Sequence, residues 1–386
     1  MEKSKLLNNL LPLYFVIGML KGITILEHVD YILSIIIQLI FIFIIFKKKK
    51  QVNKNIFIIY ITNILLISII GIYFLIINCK ITLIINRILP LISIYGLIIL
   101  DSSNEEINLK NVVNNTINLF TIIGIIIIVD ALCYMIFSKS IWPPVSYLGN
   151  RFSGPFYDSN FMAITYGIIL ITSLYLQREN KKKIISVSLM CILIAKSWST
   201  IIFLGITIIM HIVLKINSKN LFLKQLLLMI VDILFILICH KYIDSISKIF
   251  MQLLSGTSFS TAELMAKFKS LEFRITAQYN ALKLFTVSPL GYGPRTIVTY
   301  LGMDIHNSYL GFLFEQGILG SLIQIINMPI NKINAKFADT ITTFIIIVAF
   351  FINIHYSSIF VFVILLVFSC KEGDQHANIF NNYASI

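Results

Sequence analysis

Residues 114–137 read NNTINLFTIIGIIIIVDALCYMIF, with Asp130 the single charged side chain among them. A helix that is apolar all round is either buried in a large core or immersed in lipid, and crossing a bilayer takes ~20 such residues. The stretch is long enough to cross. It decides the fold because the same pattern recurs along the chain. Comparable runs lie at 7–26, 31–46, 56–77, 81–100, 160–176, 184–196, 199–214, 225–240, 306–327, 341–354 and 357–370.

Composition supports this reading. The 386 residues are 58% hydrophobic and 13% charged, with a mean hydropathy of +0.89. Soluble domains carry roughly 45–50% apolar and about 25% charged residues. A water-facing surface cannot absorb such an excess of Ile, Leu and Phe. A soluble enzyme and a secreted disulfide scaffold are therefore excluded. The expected fold is all-α, a polytopic integral membrane helical bundle of about 10 to 12 transmembrane helices. The higher count treats the pairs 184–196/199–214 and 341–354/357–370 as separate spans; the lower treats each as one bent element.

The formal net charge is +13, which on a soluble chain would suggest nucleic acid. Here the basic residues cluster between apolar runs, as Lys47–Lys50 with Lys54 and Arg178 with Lys181–Lys183. Such clusters mark cytoplasmic loops, so no nucleic-acid partner is expected. They fall on the same side as Lys3 and Lys5, and both termini are expected to be cytoplasmic. Those two lysines precede an apolar run without a small-residue cleavage site, so the first span reads as a retained anchor. The cysteines, Cys79, Cys133, Cys191, Cys239 and Cys370, lie in or beside apolar runs without metal-ligand spacing and read as small apolar side chains.

This divides the chain into N-terminal transmembrane helices (1–240), a long extracytoplasmic loop (241–305), and C-terminal transmembrane helices with a short cytoplasmic tail (306–386). Within the loop, Leu264, Phe268, Leu271, Ile275, Leu282 and Phe285 recur at helical spacing with charged residues between them. That predicts an amphipathic helix lying on the outer membrane face or capping the bundle.

Chemistry concentrates at a few places. Arg151-Phe-Ser-Gly154-Pro155-Phe-Tyr157-Asp158-Ser-Asn160 precedes a span. Asp158 or Asn160 suits a helix cap. Arg151 suits a phosphate or, more plainly, a lipid headgroup. Phe273-Arg274-Ile275 offers a second arginine, whose ordinary alternative is a solvated polar face. Pro289-Leu-Gly291-Tyr-Gly293-Pro294-Arg295 is either a tight turn or a nest of N–H groups for an anion. It lacks the GK[ST] of a P-loop. His306-Asn307-Ser-Tyr309 opens a span, with Asn307 or Ser308 as its cap. A neutral imidazole at His306 is suited to accept a proton from a hydroxyl, or else packs at the interface. Glu315 lies two turns deeper, where a carboxylate is costly and by default functional. Glu27-His28-Asp30 is either a short polar loop or a place for a divalent ion; no DxD motif occurs.

The order of these pieces resembles the O-antigen polymerase/ligase family, the membrane glycosyltransferases that build bacterial surface polysaccharides. The resemblance rests on F-R…A-L…S-P-L-G-Y-G-P leading to H-N-S-Y-L…E-Q-G-I-L-G over 271–320, and on R-x-x-G…D-x-N near 150–163. Elsewhere it extends only to the pattern of spans. It implies an enzyme with a polyprenyl-pyrophosphate-linked oligosaccharide as donor. An acceptor hydroxyl attacks the anomeric carbon and polyprenyl pyrophosphate leaves.

Arg151 and Arg274 would bind pyrophosphate, with Arg295 a third cation and Asn307 beside them. His306 would be the base. Lys196, in Lys196-Ser-Trp198-Ser-Thr200, stands near where members carry an arginine that is Trp198 here. The tryptophan usual after the loop arginine is replaced by the Gln278–Tyr279 neighbourhood.

Fixed guanidinium groups stabilise a departing pyrophosphate without a metal, so no cofactor is expected. The reading is an inverting polymerase in the bacterial cytoplasmic membrane, working on its outer face. A flippase and a chain-length regulator would be its partners. A ligase with the same donor, a flippase for the lipid-linked unit and a non-catalytic scaffold are the alternatives.

Overall fold

The computed structural model describes residues 2–20, 69–77, 109–142, 151–156, 158–175, 180–214, 221–255, 261–293, 296–302, 305–326 and 336–349, with isolated positions at 29–40, 65, 144 and 362–366. Every regular element among them is a helix, so the all-α expectation holds. The helices are α1 (Glu2–Met19), α2 (Leu109–Phe137), α3 (Ser159–Tyr175), α4 (Lys181–Ile194) and α5 (Trp198–Leu214). They continue as α6 (Leu221–Ser255), α7 (Thr261–Val287), α8 (Thr296–Leu301), α9 (Ser308–Ile326) and α10 (Lys336–Ala349).

Their bounds follow the apolar runs closely at α2, α3 and α5. Among the described residues one stretch, Lys110–Phe137, is long and apolar enough to cross a membrane. Its side chains are only partly covered: Ile122 is 56% exposed, Met135 67% and Phe137 66%. Residues 184–196 and 199–214 form two helices, α4 and α5, joined by a turn at 195–197. Spans read at 31–46, 56–77, 81–100 and 357–370 fall largely or wholly outside the described residues.

The helix–helix packing falls into two sets. In the first, α3 lies along α4, α4 and α1 pack on α2, and α10 packs on α5 and α3. Close approach there needs Gly124, whose added Cβ would sit 2.5 Å from Val187 Cγ1 and 2.9 Å from the Tyr166 hydroxyl. Tyr166 is fully buried and donates to the Phe120 carbonyl at 2.9 Å, which ties α3 to α2. In the second set α7 packs on α6, α8 and α9, and α9 also touches α6 and α8.

The segment read as an outer loop differs from expectation in two respects. α6 continues through position 240 to Ser255, so 241–305 begins inside a helix. Lys241, Asp244 and Lys248 change its polarity but not its helical backbone. The expected amphipathic helix exists as α7, but its buried face is Phe268, Ile275, Ala277 and Ala281, while Leu271 faces out.

Candidate functional site

Asp158 starts α3. Its carbonyl accepts from Met162 N–H at 3.2 Å, and its Oδ1 accepts from Asn160 N–H. Capping of this kind fixes the preceding 151–156 strip. Gly154, at φ 54, seats that strip against Ile127 of α2, where a Cβ would fall within 2.8 Å of the isoleucine side chain. Phe152 packs edge-on to Tyr134, and Phe156 stacks on Phe120. Arg151 and Asp158 are both left half-buried.

Arg274 comes to this strip from α7. Burial pushes its guanidinium below the ordinary arginine value. The Asp158 carboxylate raises it again, and the neighbouring Arg151 lowers it. Three charges from elements more than a hundred residues apart therefore share one local field, where the two helix sets meet. Two guanidinium groups against this one carboxylate leave a positive charge. Arginine stays protonated at any physiological pH, so the excess is permanent and suits an anion.

Gln278 lies four residues after Arg274 and hence on the same face of α7. Its Nε2 donates to the Ile305 carbonyl at 3.1 Å. His306 follows, half-buried and in left-handed backbone at φ 47. Asn307 is fully buried and is the helix cap: its Oδ1 accepts from Leu310 N–H at 3.1 Å and its carbonyl from Gly311 N–H at 2.9 Å. Its Nδ2 donates to Asp232 Oδ2 of α6 at 2.8 Å. Arg274 thus shares its charged neighbourhood with Arg151, and its helix face is bonded to the residue before His306.

The glycine turn is not an anion nest. Gly291 N–H donates to Ser288 O at 3.0 Å, Tyr292 N–H to Phe314 O at 2.9 Å and Gly293 N–H to Glu315 O at 2.9 Å. The reason is a break in α9 at Gly317 (φ 66, ψ −168). A broken helix leaves carbonyls on one side and N–H groups on the other without partners. The 289–293 turn supplies both, because Pro289 O accepts from Ile318 N–H at 2.9 Å. Gly291 and Gly317 make the contact possible: a Cβ on the first would lie 2.6 Å from Glu315 O, and one on the second 2.3 Å from Leu290 C. Tyr292 stacks on Phe314 with centroids 4.8 Å apart.

The remaining candidates sit as follows. Lys196 is exposed in the 195–197 turn, at φ 49. Its neighbour Ser197 donates to Asn160 Oδ1 at 2.8 Å, which brings that turn to the start of α3. Glu315 is 1% exposed, two turns below Asn307, with its backbone carbonyl in the glycine interlock. Asp30 is half-buried in a helical stretch. Glu27, His28 and Arg295 lie outside the described residues. Asp130 serves structure: it accepts from Ser140 Oγ at 2.7 Å, Ile141 N–H at 2.7 Å and Trp142 N–H at 3.2 Å, holding the turn after α2.

Sequence reading missed the bonds made by Asp232 and Gln278. The one available signal was a carboxylate inside an apolar run, which calls for a partner. No family model matches the chain, and neither does any curated protein sequence.

Proposed function

We propose that this chain is a multi-pass bacterial membrane protein that polymerises polyprenyl-pyrophosphate-linked oligosaccharide units at the outer face of the cytoplasmic membrane. The observation that carries the reading is the Arg151–Asp158–Arg274 group, positively charged overall and reached from the same helix face that bonds to the residue before His306. Uncovered apolar side chains along α2 support contact with lipid, as does the composition of the whole chain.

In this reading Arg151 and Arg274 hold the donor pyrophosphate bidentately. As the anomeric C–O bond breaks, both of its electrons pass to the pyrophosphate oxygen, where the fixed cations stabilise the charge. His306 accepts the proton of the attacking acceptor hydroxyl. Attack and departure on opposite faces of the sugar give inversion. Asp158 keeps the two guanidinium groups from repelling each other when the site is empty. Arg295 and Lys196 are further contacts for pyrophosphate or glycan, whereas Asn307, fully buried with its amide oxygen and nitrogen both bonded within the protein, acts as the α9 cap and not as a substrate contact.

The test is a gel of surface polysaccharide from cells lacking this chain and complemented with the native or His306→Ala form. The reading predicts a ladder with the native chain and a single repeat unit with the variant. Long chains retained on the lipid carrier would indicate a ligase instead. Unchanged chain length would reject both and favour a flippase or scaffold.

A further inference from the structure

Resting on that reading, we infer that Asp232 and Gln278 are positioning residues that clamp His306 from two helices. The geometry is specific. His306 occupies left-handed backbone, which a non-glycine residue adopts seldom and holds only when its surroundings impose it. The residues on either side of it are each fastened by a side chain. Before it, the Ile305 carbonyl accepts from Gln278 Nε2 of α7; after it, Asn307 Nδ2 donates to Asp232 Oδ2 of α6. Asn307 simultaneously caps α9, so the clamp fixes both the direction of the helix and the height of the imidazole at its mouth.

Asp232 stands in the apolar stretch Leu-Leu-Leu-Met-Ile-Val-Asp232-Ile-Leu-Phe, where a carboxylate is costly. Among the described residues its bond is to a neutral amide, which fits an acceptor used to orient. Gln278 links the clamp to the cations, because it shares its α7 face with Arg274. A shift of α7 would therefore move base and pyrophosphate site together. Base and leaving-group cations must be held at a fixed separation for in-line displacement, and this link supplies that rigidity.

The experiment measures elongation by membrane vesicles, with lipid-linked repeat unit isolated from cells lacking this chain as the probe. Asp232→Leu removes the acceptor; Gln278→Glu removes the donor at nearly constant shape. Each should lower kcat ~10- to 100-fold, the order expected for a catalytic group displaced by about 1 Å, with KM within about twofold. Asp232→Asn retains an acceptor oxygen and should recover at least about ten-fold of the loss caused by Asp232→Leu.

In a His306→Ala background neither substitution should lower the residual rate further, because no imidazole is left to orient. Equal losses in both backgrounds, a loss confined to KM, or an Asp232→Asn as impaired as Asp232→Leu would each overturn the inference. If Asp232→Leu fails to accumulate in membranes, Gln278→Glu decides by the same criteria. Native rates for both variants beside an inactive His306→Ala refute the clamp alone. A native rate for His306→Ala refutes the proposed function.

Discussion

Replacing Gly317 by alanine probes the junction on which the height of the site depends. At φ 66 and ψ −168 the backbone occupies a region open essentially to glycine. The new methyl would meet Leu290 C at 2.3 Å and Pro289 O at 2.4 Å, which are backbone atoms that cannot swing aside. The conformational strain alone costs about 1–3 kcal/mol. Relieving the clash by separating the two segments forfeits the bonds Tyr292–Phe314, Gly293–Glu315 and Ile318–Pro289, each worth about 0.5–1.5 kcal/mol net. The total is roughly 2.5–7.5 kcal/mol, a large share of the ~5–15 kcal/mol that holds a typical domain.

Gly205→Ala is the matched control. Gly205 lies inside α5 with nothing within 4 Å of an added Cβ, so helix propensity favours the alanine by about 0.5–1 kcal/mol. Amide exchange at Tyr292, Gly293 and Ile318, followed by mass spectrometry in detergent, reads the junction directly. Gly317→Ala should expose those amides and reduce elongation, whereas Gly205→Ala should leave both unchanged. If the two variants behave alike within about 0.5 kcal/mol, the interlock does not hold the mouth of α9 and the reasoning fails.

Three further outcomes are expected. Arg274→Ala should abolish polymer while the protein still inserts, and Arg274→Lys should restore little of it, because a point charge cannot reproduce the guanidinium fork; native-length polymer from both would remove Arg274 from the site. Asn307→Ala should lower thermal stability by about 0.5–2 kcal/mol through loss of the α9 cap, and more if Asp232 is left without its donor; a melting temperature equal to that of the native chain would show the cap to be idle. Chelation with EDTA should leave turnover in vesicles unchanged, whereas strong inhibition reversed by Mg²⁺ or Mn²⁺ would move attention to Glu27 and Asp30.

The helices were legible where apolar runs end in polar residues. α2, α3 and α5 begin within a residue of Lys110, Asp158 and Ser197. α6 was not, because its continuation past His240 carries Lys241, Asp244 and Lys248, and a change of polarity reads as a loop although the helical backbone persists. Arg151 and His306 were visible as polar residues just before apolar runs, and Arg274 as a charged position in the amphipathic pattern of 264–285. Their company was not. Neither the electrostatic influence of Asp158 on Arg274 nor the bond between Asp232 and Asn307 leaves a local trace, since each joins elements far apart in the chain. The glycine turn shows the same gap: Gly291 and Gly293 announce unusual backbone, but only the break at Gly317 reveals that the Tyr292 and Gly293 N–H groups serve α9 rather than a ligand.

The most direct measurement is product release. Purified protein in lipid vesicles is given lipid-linked repeat unit, and polyprenyl pyrophosphate is followed alongside linkage formation. The account predicts one polyprenyl pyrophosphate freed for every glycosidic bond made, with inverted configuration at the anomeric carbon. Transfer of the intact lipid-linked unit across the vesicle membrane, with no pyrophosphate released, would contradict it.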